Sequence, residues 1–287
     1  MIMLTKNENQ LSATQTNAHY IVAAFYHFAP IFNTAKLQKT LKEFMDLHEV
    51  KGTIILATEG VNGTVTGLRA GIDALLDFLR GMEGFADLVH KEAHYERHGF
   101  ERRKVKCKSE LIGLGAYANP MEVVGEYVEP QDWNALIAKG MPVIDTRNDY
   151  EFELGTFSGA TDPKTKRFKD LVKWTEENLD PERDKEVAMF CTGGIRCEKF
   201  SSYLKAQGFD KVYHLKGGIL RYLEEIPQAQ SKWQGECYVF DERVAVDHSL
   251  QASGDAERCG GCGGLIWTKH RADAKYVKGK CCPRCAE

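Results

Sequence analysis

The sequence contains no unbroken apolar run of about 18 residues, the length a membrane-spanning helix needs, so no membrane partner is expected. Its first 18 residues are polar and lack the apolar core of a secretory signal, and read as a flexible lead to a cytoplasmic protein. No glycine fingerprint for a dinucleotide follows any strand-like segment, so no nucleotide cofactor is evident. No two-histidine, one-carboxylate set for iron stands out. Low-complexity tracts and fixed-period repeats are also missing, which excludes solenoids and propellers. Nor is there a strong excess of one charge: the net is −3, so the whole molecule is not a basic nucleic-acid binder.

Cysteine, by contrast, is plentiful. Nine are present, an odd number, with two in one short loop and five crowded at the C-terminus. That distribution fits catalytic and metal-binding thiols in a reducing compartment better than a disulfide framework. The loop is Cys191-Thr192-Gly193-Gly194-Ile195-Arg196-Cys197. An apolar, strand-like run (187–190) precedes it and a helical run (198–207) follows. Backbone N–H groups at such a strand-to-helix turn converge on an anion, and with Arg196 they favour a nucleophilic thiolate at Cys191. The alternative is a buried structural cysteine before a glycine-rich turn. Four residues separate Cys191 from Arg196, one fewer than in the Cys-x5-Arg loop of cysteine phosphatases, so the cradle suits a single sulfur better than a phosphate. Cys197 presents a fork: a resolving thiol for an oxidised Cys191, or a small apolar residue packed in the first helical turn. Packing is favoured.

With 287 residues, about two domains are expected. Over 19–98 the pattern reads β-α-β-β-α-β, a ferredoxin-like α+β domain with both helices on one face of an antiparallel sheet. Residues 99–127 read as a basic, then glycine-rich connector. From 128 to 228 strands alternate with helices, which implies an α/β domain with a parallel sheet covered on both faces. Ligands bind beyond the carboxyl ends of such strands, where Asp145 and Cys191 both fall. Residues 229–258 read as a linker and 259–287 as a small cysteine-rich tail.

Asp145-Thr146-Arg147, Glu151, the glycine-bounded segment 155–160, the Cys191 loop and Leu215-Lys216-Gly217-Gly218 resemble the rhodanese fold. Three further segments narrow the resemblance: Glu59-Gly60-Val61-Asn62-Gly63-Thr64, the run 144–151, and the Gly-Glu-Cys-Tyr-Val-Phe-Asp-Glu-Arg-Val motif at 235–244. With 191–199 they are similar, in order, to the bacterial rhodanese-domain tRNA uridine hydroxylases, from about residue 20 to 246. The resemblance implies hydroxylation of the wobble uridine to 5-hydroxyuridine, with molecular oxygen as co-substrate and tRNA as partner. It implies that Cys191 is the active cysteine, acting through a persulfide, with Thr192 to Cys197 as its loop and Asp145 and Arg147 in support. The residues themselves do not yield the oxidation step. A general sulfurtransferase carrying a Cys191 persulfide, and a non-catalytic RNA-binding adaptor, are the competing functions. Protein partners are not indicated.

A polyanionic substrate gives weight to the basic run Arg102, Arg103, Lys104, Lys106 and Lys108, which otherwise reads as a solvated face. A second basic cluster comprises Lys164, Lys166, Arg167, Lys169 and Lys173. At the C-terminus, Cys259-Gly-Gly-Cys262 and Cys282-Pro-Arg-Cys285 are two Cys-x2-Cys pairs with 19 residues between them, the spacing of a structural zinc site. Cys281 is a spare that could stand in for Cys282. So short a segment, with few apolar residues, needs the metal to fold.

Overall fold

The computed structural model describes residues 20–286 except 255 and 263; the expected flexible lead lies outside the described residues. The first domain runs β1 (Tyr20–Phe28), α1 (Thr34–Leu47), β2 (Lys51–Ala57), β3 (Gly60–Gly67), α2 (Arg69–Arg80) and β4 (His90–Tyr95). The Asn33 side chain accepts the Lys36 N–H at 2.9 Å and so starts α1. Strand order is β4-β1-β3-β2, with a fifth strand, β5 (Arg103–Cys107), parallel to β2 at the edge. The basic run expected in a connector is therefore part of this sheet. Its alternation around Val105, which is buried in the domain core, lets it pair with β2.

Both helices cover one sheet face. Ile21, Ala23 and Phe25 of β1 join Leu41, Met45, Leu75, Leu79 and Val105 in that core. Successive strand residues alternate sides, so Val22, Ala24 and Tyr26 face the other way. The register extends that second face across the sheet: Ala24 lies beside Lys91 and Thr64, Thr64 beside Thr53, and Thr53 beside Lys104. One step on, Tyr26, Asn62, Ile55 and Lys106 form the next row.

The second domain begins with β6 (Glu126–Val128), two residues before the expected boundary, followed by α3 (Pro130–Ile137) and β7 (Val143–Asp145). Then come α4 (Asp149–Phe152), β8 (Gly155–Phe157), α5 (Asp170–Asn178) and β9 (Glu186–Phe190). It closes with α6 (Ile195–Ala206), β10 (Lys211–Leu215) and α7 (Gly218–Glu225). The sheet is parallel, in the order β6-β10-β9-β7, with apolar clusters on both sides.

Residues 229–258 are not a free linker. Strand β11 (Trp233–Gly235) pairs with β8, and β12 (Cys237–Tyr238) pairs with β13 (Ala245–Val246). Trp233, Cys237 and Val239 are buried in the second domain's core, so burial of these apolar residues ties the segment down. In the tail, β14 (Ala256–Arg258) pairs with β15 (Leu265–Trp267), followed by the short α8 (Thr268–Arg271).

Candidate active site

Strand β9 is buried throughout its last four residues and ends at Phe190, which delivers Cys191 to the carboxyl edge of the sheet. The chain then turns through Gly194, at φ +111°, into α6. A side chain there would be strained, and its Cβ would lie 2.6 Å from the Tyr26 hydroxyl. The loop is pinned from the other flank by the start of α7. Ile219 N–H donates to Cys191 O at 2.9 Å and Leu220 N–H to Thr192 O at 3.1 Å. Gly218 permits this approach, since a Cβ on it would sit 2.4 Å from Cys191 O.

Cys191 is only 1% exposed, and the Gly194 N–H donates to its Sγ at 3.1 Å. Burial pushes its pKa up, but the Cys197 thiol, the Arg196 charge and the N–H groups of Cys197 and Gly194 overcome that and bring it down to about 6. Near neutral pH Cys191 is thus mostly thiolate, the nucleophilic form. Cys197 is fully buried, and burial, with the adjacent Cys191, drives its own pKa well up. It remains a thiol packed in the helix, with Thr146 Oγ1 at 3.5 Å.

Arg196 does more than face the sulfur. Its guanidinium makes a bidentate pair with Glu151, at 2.6 and 2.8 Å, both side chains being buried. It also donates to Thr192 Oγ1 at 3.3 Å. Burial alone would raise the Glu151 pKa; Arg196 reverses this and holds the carboxyl below its usual range. The pair fixes the loop, because a buried charge must be matched. Asp145 and Arg147 form a second buried pair, at 2.6 and 2.9 Å. Arg147 also donates to Gly155 O at 2.5 Å and lies over the Trp233 ring. These two residues join β7, β8 and β11 together; their bonds go to one another and not to Cys191.

The first domain contributes residues that sequence reading passed over. The Tyr26 hydroxyl donates to Glu198 Oε1 at 2.7 Å, and the Tyr127 phenol lies close to the same carboxylate. Burial raises the Glu198 pKa, against the two phenols, and the charge on Cys191 raises it further. Lys199 is buried between Glu59, at 2.5 Å, and Glu110, at 3.2 Å, which links the Glu59 motif to α6. The Lys91 ammonium is buried beside Gly217 without a hydrogen-bond partner among the described residues, and burial brings its pKa down to about 7. The quoted motifs 59–64 and 191–199 contained Glu59, Glu198 and Lys199. Tyr26 carried no local signal, and Lys91 only that of a basic run between 90 and 108, because both matter through the face of the sheet they occupy.

The basic run divides by the same alternation. Lys104 and Lys106 share the face of Tyr26. Arg103 lies on the helix side, where it pairs with Asp46 of α1. Arg102 and Lys108 flank the strand and are exposed. In the second cluster, Arg167 pairs with Asp170 and Lys173 with Glu177.

At the tail, the sulfurs of Cys259, Cys262, Cys282 and Cys285 all lie within 4.8 Å of one another, a group that could hold a metal ion. Cys281 is not among them; its thiol donates to Lys275 O at 3.6 Å. Cys107 is exposed, and Cys237 is buried, which pushes its pKa up to about 12.

Two domain families match this architecture. The UPF0176 acylphosphatase like domain matches residues 20–111 and the rhodanese-like domain matches residues 129–225. Among solved structures, a rhodanese-like domain from Anabaena is 19% identical, covering 38% of this chain and 78% of that one, with a TM-score of 0.32. An acylphosphatase from Coxiella burnetii is 10% identical over 32% of this chain and 98% of that one, with a TM-score of 0.26. The tRNA uridine(34) hydroxylase of Teredinibacter turnerae is 50% identical over 268 residues, which is 93% of this chain and 83% of that protein. With half its residues shared across nearly its whole length, the chain belongs to the tRNA uridine(34) hydroxylase family.

Proposed function

We propose that this protein hydroxylates uridine 34 of tRNA, giving 5-hydroxyuridine with molecular oxygen as co-substrate, and that Cys191 is its active cysteine. The observation that carries the role of Cys191 is its sulfur, held as a thiolate at the strand-to-helix turn and closed over by Tyr26. The extent of identity to a named hydroxylase supports the reaction. The loop from Cys191 to Arg196 is one residue shorter than that of cysteine phosphatases, which favours a persulfide over a phosphorylated cysteine as the working form of Cys191. Converging N–H groups stabilise that anion as they do the thiolate.

The sheet face of the first domain opposite its helices is our choice for the RNA path, at the β5 edge. It carries Lys104 and Lys106 towards the same side as Tyr26, and cations on one face attract a phosphate backbone. Arg103, already neutralised by Asp46, belongs to the opposite face. Replacement of Lys104 and Lys106 by Glu should weaken tRNA binding and flatten its salt dependence, whereas Arg103→Glu should do so far less.

We assign zinc to the tail. A tetrahedron with metal–sulfur bonds of ~2.3 Å has sulfur–sulfur edges of about 3.8 Å. The distances Cys259–Cys285, Cys262–Cys282 and Cys282–Cys285 are 3.6, 3.7 and 3.7 Å. Bound there, zinc would cross-link the two knuckles and supply folding free energy to the tail. A tRNA substrate and nine free cysteines suit the reducing cytoplasm. No helix among the described residues is long and apolar enough to cross a membrane.

Mass spectrometry of tRNA from cells lacking the protein tests the function. Loss of 5-hydroxyuridine and its derivatives, restored by the wild type but not by Cys191→Ser, is expected. Restoration by Cys191→Ser would refute a catalytic cysteine, and unchanged nucleosides would refute the hydroxylase.

A further inference from the structure

The motif at 235–244 leaves one residue unexplained. Phe240 is 48% exposed, although both its neighbours, Val239 and Asp241, are buried. Leaving a large apolar ring in water forgoes the free energy of burying it. The chain nevertheless holds this ring firmly. Arg243 clamps Asp241 with hydrogen bonds of 2.6 and 2.9 Å, and both side chains are nearly buried. Val239 N–H donates to Val244 O at 2.9 Å and closes the turn. Val244 sits at φ +63°, a left-handed conformation that a β-branched residue rarely adopts. Glu242 N–H donates to Gly99 O at 3.2 Å, which ties the tip of the turn to the end of the first domain.

The ring also lies beside the arginine of the cysteine loop. Its centroid is 5.9 Å from the Arg196 guanidinium carbon, and it meets the Tyr238 ring edge-on at 5.1 Å. Other exposed rings among the described residues lack this position. Phe32 lies between β1 and α1, and Tyr117 bonds Glu122. Tyr127 packs on His214 and serves Glu198. A rigid, exposed aromatic ring next to the cysteine loop, on a molecule whose neighbouring sheet face is basic, is suited to the flat face of an unpaired nucleobase.

Given a tRNA uridine as substrate, as proposed above, we infer that Phe240 is the stacking residue of the uridine site: its ring takes the face of an unpaired base of the anticodon loop and holds it at the Cys191 loop. The ring contributes contact, not proton transfer, so its removal should act on binding.

The experiment uses the full chain and an RNA hairpin with the anticodon loop of a uridine-34 tRNA. Phe240→Ala should bind the hairpin between about fivefold and a hundredfold more weakly, the range of base–aromatic stacking, while Phe240→Tyr stays near wild type. The ultraviolet thiolate titration of Cys191 should be unchanged in Phe240→Ala, which separates stacking from a structural role. In F240W the added indole fluorescence, read against the wild type, should be quenched by the hairpin. Equal binding by wild type and Phe240→Ala, or an unquenched F240W that still binds, overturns the stacking role alone. A wild-type protein that does not bind the hairpin overturns the tRNA reading, and the stacking role with it.

Discussion

Replacing Glu151 by Gln separates two jobs that the Glu151–Arg196 pair performs at once. The carboxylate is fully buried, and Arg196 has no other acidic partner among the described residues. Removing one member of a buried pair leaves the other charge uncompensated, at a cost of about 3–5 kcal/mol. Gln keeps one acceptor oxygen, so the low end, about 3 kcal/mol, is expected. With a urea slope of roughly 1–3 kcal/mol per molar, the midpoint should fall by ~1–3 M. Tryptophan fluorescence is a suitable probe, because the first domain contains no Trp and Trp133 and Trp233 are buried in the second. The effect on Cys191 should have the opposite sense. Without the carboxylate, the Arg196 charge acts on the sulfur unneutralised, so the thiol pKa should drop below its value of about 6. Arg196→Met should destabilise similarly but raise the thiol pKa towards the usual range. The double variant Glu151→Leu/Arg196→Met should cost less than the sum of the single changes, since no charge is then stranded. An unchanged midpoint in Glu151→Gln, or a thiol pKa that climbs, would refute the view that this pair both braces the loop and moderates its charge.

The Cys191 pKa is lowered on folding, so the thiolate stabilises the native state fully above the ordinary cysteine pKa and progressively less as pH falls through about 6. The urea midpoint of wild type minus Cys191→Ser should therefore rise with pH across that window; a flat difference would count against a thiolate. Lys199→Met strands Glu59 and Glu110, whose carboxylates accept the N–H groups of Leu111 and Leu114 at 2.7 and 3.1 Å. Hydrogen exchange at these two amides should quicken, and unchanged protection would mean that Lys199 does not hold the domains together. A strong zinc chelator, or Cys262→Ser, should open the tail after residue 258 to protease while Trp133 fluorescence stays native. Continued resistance of the metal-free tail would show that it folds without the ion.

The cysteine loop was legible because its chemistry is local. A strand end, two glycines, an arginine at fixed spacing and a helix start are consecutive in the chain, and together they fold into an anion cradle. The tail was legible for the same reason, since Cys-x2-Cys spacing is itself a geometric statement. Only the tertiary structure chose Cys282 over Cys281, because facing inward or outward at adjacent positions depends on how the knuckle closes. The β-α-β-β-α-β order of the first domain also followed from periodicity, but the fifth strand did not. Five basic residues in seven positions, interrupted by Val105 and Cys107, hide a strand whose single core side chain is Val105.

What no local pattern contained was the meeting of the two domains. Tyr26 and Glu198 are 172 residues apart, and Lys199 and Glu59 are 140 apart. Such contacts arise because one face of the first sheet is covered by its own helices and the other is left to cover the loop. The sequence by itself determined that Cys191 stands at a strand-to-helix turn and what cradles its sulfur. The packing of one sheet face against the turn decided what surrounds that sulfur, because burial and opposing charges from distant segments set its environment.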